Sequence, residues 1–268
     1  MKRPLPRGWR ASNGEDRGLH NPLVVSLVVM CFILGGIAIG ARLRSRLPEH
    51  HLSPESENVV KLGVGLIATM SALVLGLLIA SSKTTYDLKT NELNQITADS
   101  LLIDQLLAQY GPETKPIREQ LRDSLQAMTN MLWNEEKGTS RVFTPSSAGV
   151  EVYRLLNGLS PQTDMQRALS SQISETTKHL SQLRLVLFAQ SDSAIPSPFI
   201  FILMFWLTLI FGSFSLFGPT NPTVLAFLIL CAASAAGAIF FILQLNDPFA
   251  GILQIPKSTL INAVGPVT

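Results

Sequence analysis

Residues 193–246 read SAIPSPFIFILMFWLTLIFGSFSLFGPTNPTVLAFLILCAASAAGAIFFILQLN, 54 residues without one Asp, Glu, Lys, Arg or His. As one helix the run would be about 80 Å long at ~1.5 Å per residue, far beyond the roughly 30 Å of a bilayer's hydrocarbon core. It must therefore fold back on itself. The stretch Phe217-Gly218-Pro219-Thr220-Asn221-Pro222 supplies the turn. A glycine caps the C-terminus of one helix, a proline forbids its continuation, and a second proline suits the start of the next. Two membrane spans result, over 199–217 and 223–245.

Two more precede them. No charged residue falls between His20 and Arg42, and 22–41 is almost wholly aliphatic, long enough to cross the hydrocarbon as span one. A cleaved signal peptide would have an apolar core of only about 7 to 15 residues, and here Arg42, Arg44 and Arg46 follow a longer one. Lys61 and Lys83 bracket span two, 62–82. Composition agrees: of 268 residues 47% are hydrophobic and 15% charged, with a mean hydropathy of +0.30, against about 25% charged for soluble domains. The net charge of +2 is too small for a nucleic-acid binder, which neutralises many phosphates with basic patches. Cys31 and Cys231 both lie in apolar runs and read as packing residues rather than a disulfide.

Small residues inside the spans point to close helix contacts. Gly36 and Gly40 form a GxxxG pair, Gly76 lies in span two, and Ala232, Ala233, Ala236 and Gly237 give overlapping small-xxx-small pairs on span four. Such residues let backbones approach where lipid removes the usual hydrophobic drive, within one subunit or between subunits. No ionisable group occurs at mid-membrane, although one there costs roughly 2.5–3.5 kcal/mol and usually marks an ion or proton path. This argues against a proton-coupled transporter or a voltage sensor. Backbone carbonyls and hydroxyls remain able to line a passive pore.

Between spans two and three lies a polar insert, 83–192, with helical periodicity. Tyr86, Leu93, Ile96, Ile103, Leu107 and Tyr110 share one face at spacings of 3, 4 and 7, so a helix continues out of span two and stops at Gly111-Pro112. With Thr114 as N-cap and Pro116 in the first turn, Ile117, Leu121, Leu125, Met128 and Leu132 form a second stripe ending near Trp133. A loop rich in Gly, Ser and Pro follows, then a short helix from 150 to 156 and a long one marked by Met165, Leu169, Ile173, Leu180, Leu183 and Leu187. The expected fold class is all-α: a polytopic membrane protein with four transmembrane helices, a polar N-terminal tail (1–21), a helical insert and a C-terminal tail (247–268).

Four spans put both termini and the insert on one side. Lys2, Arg3, Arg7, Arg10, Arg17, Lys83, Lys89, Lys178, Arg184 and Lys257 share that side, and Arg42, Arg44, Arg46 and Lys61 lie opposite. The positive-inside rule makes the termini and insert cytoplasmic.

Little in the chain carries chemistry. His50 and His51 near Glu49, Glu55 and Glu57 lack a second ligand cluster, and adjacent histidines cannot share a helix face, so no metal is expected. Asp87, Glu92, Asp99 and Asp104 read as solvated charges on an amphipathic helix, and His179 as a surface histidine. With no phosphate-cradling glycine loop, nucleophile elbow, H-E-x-x-H pair or CxxC, neither an enzyme nor a cofactor is expected. At the exit of span four, Asn246-Asp247-Pro248-Phe249-Ala250-Gly251 enforces a turn. Asp247, Pro248, Phe249 and Gly251 are its interface candidates, with Phe249 placed to anchor at the membrane surface.

One set of short stretches runs through the first half of the chain: His51-Leu52-Ser53, Lys61-Leu62-Gly63, Ala72-Leu73-Val74-Leu75-Gly76-Leu77-Leu78 and the Lys83 to Asp87 exit. It extends to Tyr110-Gly111-Pro112-Glu113-Thr114 with Arg118 and Leu121, Phe205-Trp206-Leu207-Thr208, Phe211, Asn221, Ala238-Ile239-Phe240 and Asp247-Pro248-Phe249 with Gly251. In this combination the chain resembles the bacterial bestrophin-like membrane protein family of unknown function. The resemblance covers about residues 23 to 262 and implies a four-span protein in a bacterial inner membrane. Bestrophins are oligomeric anion channels with cytosolic extensions. Where the resemblance leads one to expect acidic residues at the exit of span four, this chain has Gln244 and Asn246. Two functional readings follow: a membrane-anchored interaction or scaffold protein that binds a protein partner through the insert, or a channel-like, anion-conducting homo-oligomer.

Overall fold

The computed structural model describes residues 21–48, 53–133, 147–189, 197–219 and 221–261, and among these every regular element is helical. In chain order they are α1 (Pro22–Arg46), α2 (Pro54–Tyr110), a single 3-10 turn (Pro112–Thr114), α3 (Lys115–Trp133), α4 (Ser147–Asn157), α5 (Asp164–Ala189), α6 (Ser197–Phe217), α7 (Pro222–Asn246) and α8 (Ser258–Ile261). Four of them, α1, α2, α6 and α7, are long and apolar enough to cross a membrane. The chain divides into two compact units, residues 1–84 with 195–246 and residues 85–194 with 247–268, and α2 contributes to both.

In the first unit the helix ends obey local rules. The Asn21 side chain accepts a hydrogen bond from the Leu23 amide (3.1 Å) while Pro22 occupies the first helical position, which relieves orphan donors at the start of α1. Gly218 follows α6 with its amide bonded to the Phe214 carbonyl (2.9 Å), and Pro222 opens α7. α1 is the centre of the packing, with α6 on one side and α7 on another. A Cβ at Gly36 would lie 2.7 Å from the Thr208 carbonyl oxygen, and one at Gly40 would overlap the carbonyl oxygen of Gly212. Gly36 thus faces Thr208 and Gly40 faces Gly212. The register advances by four on both helices, so α1 and α6 run parallel. Ser215 adds a hydrogen bond from its hydroxyl to the Ile37 carbonyl (2.8 Å). Glycine is required here because backbone meets backbone, the close approach on which helix association in lipid relies.

The remaining small residues divide differently from the sequence expectation. On α7 it is Ala232 and Ala236 that are buried, Ala232 in one core with Val29 and Ile33 of α1, whereas Ala233 is exposed and a Cβ added at Gly237 would meet nothing within 4 Å. A shift of one residue rotates a helix face by about 100°, which is why overlapping pairs at adjacent positions do not reveal the packed one. Gly76 likewise has nothing within 4 Å. Within the chain, then, Gly36 and Gly40 are packing residues, and Ala233, Gly237 and Gly76 are not.

In the second unit α2 presents Tyr86, Lys89, Leu93, Ile96, Ser100, Ile103, Leu107 and Tyr110 to the interior. They alternate at spacings of three and four, the 3.5-residue period of a coiled-coil seam. α2 ends at Gly111, whose φ of +149° and ψ of 172° belong to a region open almost only to glycine. Thr114, fully buried, does not cap α3. Its hydroxyl donates backwards to the carbonyl oxygens of Leu107 (2.6 Å) and Gly111 (2.8 Å), where α2's last carbonyls lack intrahelical partners. α3 then lays Ile117, Leu121, Leu125, Met128, Leu132 and Trp133 into a core shared with Val152 of α4 and Ile173, Leu180 and Leu187 of α5. The segment after α7, expected as a tail, is part of this unit: Phe249, Ile255 and Leu260 are buried in the same core, and the Trp133 indole donates to the Ile255 carbonyl (2.9 Å).

Replacing Gly40 by leucine forces a side chain into the Gly212 backbone. The expected loss is about 1–3 kcal/mol of stability, the usual range for overpacking, read as a lower thermal midpoint of the detergent-solubilised protein. An unchanged midpoint would contradict the α1–α6 register.

Candidate functional site

The membrane-depth half of α2 is the least covered of the spans, 11% buried against 28% for α1 and for α7. Its inward residues are Val64, Ser71, Leu75, Leu78 and Ser82. On the flank beside them Ala68, Ala72, Gly76 and Ala80 repeat every fourth residue, and the last three are exposed. Hydroxyls on the spans are mostly absorbed by the helix carrying them: Thr69 donates to the Leu66 carbonyl (2.7 Å), Thr84 to Ala80 (2.9 Å) and Thr208 to Met204 (2.7 Å). Ser71 differs. Its hydroxyl, at mid-span and buried, has no hydrogen-bond partner among the described residues. A hydroxyl in that position retains a donor for an ion or a water, a kind of polar group with which uncharged spans can line a pore.

The charges of the second unit are more engaged than an amphipathic pattern suggests. The Asp104 carboxylate accepts two parallel bonds from Arg118, from Nε and Nη2, both 2.8 Å. This bidentate pairing holds the Arg118 guanidinium above its usual pKa, chiefly through the hydrogen bond. Asp99 lies 2.7 Å from His179 Nδ1, so an α2 carboxylate and an α5 imidazole tie those helices together. Asp99 and Asp104 are therefore cross-links rather than solvated charges. Lys89, counted above only among the basic residues on one side of the membrane, is 2% exposed and engaged, as a buried ammonium must be. Its sequence signal was its place on the apolar period between Tyr86 and Leu93.

Arg184 on α5 reaches into a small cavity between α2, α3, α4 and α5, where its Nη1 donates to the Ser124 hydroxyl (3.1 Å) and its buried Nε meets no acceptor, and the guanidinium no carboxylate, among the described residues. Burial pushes its pKa below the ordinary arginine value, and Tyr153 opposes this only in part. No motif marked this residue. In sequence it had only the appearance of one more basic residue near a span.

The turn after α7 is built as its residues suggest. The Ala250 amide bonds to the Asp247 carbonyl (3.3 Å), Gly251 takes a φ of +83°, and the Pro248 carbonyl accepts from the Ile255 amide (2.8 Å). Asp247 has a partner. Phe249 is not at a lipid surface: it is 2% exposed and meets Trp133 edge to face, ring centroids 5.3 Å apart. Its ring and the indole make the aromatic lock of the second unit. Glu49, His50 and His51 lie outside the described residues, Glu57 pairs with Lys61 (2.6 Å), and no metal-holding group of His, Cys, Asp or Glu occurs among the described residues. Cys31 and Cys231 are both free.

The family model of the Bestrophin-like domain matches residues 31–260, which takes in most of α1, the other three spans and the second unit as far as residue 260. No curated protein and no solved structure matches the chain.

Replacing Asp104 by alanine leaves the half-buried Arg118 without its fork of acceptors. The expected cost is about 1–3 kcal/mol, below the 3–5 of a fully buried pair because both side chains retain some water. Thermal melts of Asp104→Ala, Arg118→Met and the double variant check this: strong non-additivity supports the pair, and simple addition contradicts it.

Proposed function

The chain belongs to the Bestrophin-like domain family, and on that premise we propose that it acts as a homo-oligomeric, channel-like membrane protein that passes small anions. The observation that carries this reading is the open flank of α2. A single chain leaves it the barest of the four candidate spans, yet it bears an alanine and glycine repeat. Lipid chains gain nothing from such a surface, whereas a second helix gains close backbone approach. Copies meeting through α2 bring the Ser71 positions of several subunits to the same membrane depth. The family name adds weight, since bestrophins are oligomeric anion channels. Parallel α1 and α6 support a topology in which the N-terminus and the insert share one side of the membrane, the cytoplasmic side by the count of basic residues.

The scaffold reading loses one of its supports. Leu121 and Leu125, the centre of the insert's apolar stripe, are 3% and 2% exposed inside the second unit. A protein partner docking on the insert would have to use other residues.

Two measurements test the proposal together: the mass of the purified protein in detergent, and chloride flux from vesicles into which it has been reconstituted. The expected result is a stable oligomer with a flux far above that of empty vesicles. Gly76→Leu, which has open space within the chain, should lose both while keeping its helical content. A stable oligomer in tight vesicles would overturn conduction and leave the scaffold reading. A monomer would overturn assembly through α2.

A further inference from the structure

We propose that the cavity at Arg184 in the second unit is a binding site for one halide-sized anion. The walls supply hydrogen-bond donors and one positive charge, and no acidic residue lines it. Arg184 Nε–H points to no acceptor among the described residues. Ser124, 1% exposed, accepts from Arg184 and keeps its own hydrogen without an acceptor among the described residues. The other hydroxyls are occupied: Ser181 donates to the Thr177 carbonyl (2.9 Å), and Tyr153 sits 2.7 Å from Ser181 Oγ, closing one side.

Neighbouring charges do not neutralise the guanidinium. Asp104 is held by Arg118, Asp99 by His179, Glu151 by Arg154 and Asp164 by Arg167. Arg184 is half-buried with its Nε out of reach of solvent, and an arginine does not lose its proton to escape burial, so its positive charge stays and favours a compensating partner. Water would satisfy the donors but leave that charge, whereas an anion satisfies both.

Size narrows the class. The cavity volume is about 20 Å³, and a single water-sized sphere occupies about 10–15 Å³. A monatomic anion is the class nearest to this size, and phosphate, sulfate and carboxylates are larger. The site lies in the extramembrane unit and does not depend on conduction by the spans.

The test is a thermal-midpoint titration of the full-length protein in detergent, replacing sodium gluconate by sodium bromide or chloride at constant ionic strength. A ligand that binds only the folded state raises the midpoint along a saturating curve. The wild type should show this with both halides. Ser124→Ala should move half-saturation at least severalfold upward, and Arg184→Met should abolish the halide dependence. Should Arg184→Met fail to fold, Ser124→Ala and Arg184→Lys decide the matter. No halide dependence in the wild type would mean that water fills the cavity and would overturn the proposal. So would an equal response in Ser124→Ala. Because no membrane or gradient is involved, failure here is separable from failure to conduct.

Discussion

Hydrocarbon withdraws the force that usually brings helices together, and the first unit is organised around what remains. Between apolar helices in apolar lipid, the gain comes from contacts made at close range and from satisfied polar groups. α1 meets this condition with two glycines set against Thr208 and Gly212, and with a serine hydroxyl that bonds across to the Ile37 carbonyl. Ala232 and Ala236 extend the same principle to α7. α2 satisfies it only in part, and its small-residue flank is the surface on which an oligomer has to be argued.

The second unit works in the opposite solvent and uses the opposite means. Here apolar area removed from water is the driving term, and α2 supplies it through a 3.5-residue seam. α3 returns along that seam after a turn whose geometry rests on Gly111 and the buried hydroxyl of Thr114. Charged groups join the helices as specific pairs, Asp104 with Arg118 and Asp99 with His179. The segment following α7 completes the core with Phe249 against Trp133. A helix common to both units means that the lipid-facing and the water-facing parts of the protein share one continuous backbone.

Hydropathy and length made the four spans legible, because the cost of placing polar groups in hydrocarbon leaves few alternatives. The helices extend only a few residues past the expected ends of spans one, three and four, and the insert's helices stop near Gly111, Trp133 and Gly158 as their glycine, proline and periodicity signals indicate. Where the reading failed, the missing information was tertiary. Ala232 and Ala233 differ by one step of helix rotation, and only the neighbour decides which is buried. Thr114 stands between two helices, and its hydroxyl could serve either. Asp104 looks solvated until α3 brings Arg118 to it. Arg184 carries no local mark at all, since its significance is the absence of a carboxylate in a cavity walled by four helices. Phe249, Ile255 and Leu260 are too widely spaced to announce a core contribution.

The four long apolar helices imply one arrangement, four crossings of the membrane that leave the α1–α2 connection on one side and the insert and the chain after α7 on the other. Its most direct test is labelling of single cysteines with a membrane-impermeant maleimide in sealed, uniformly oriented vesicles, after Cys31 and Cys231 are replaced by alanine. Ser56→Cys should react from one face only, and Glu175→Cys and Lys257→Cys from the other only. Reaction of Ser56→Cys and Glu175→Cys from the same face would contradict the four-crossing arrangement.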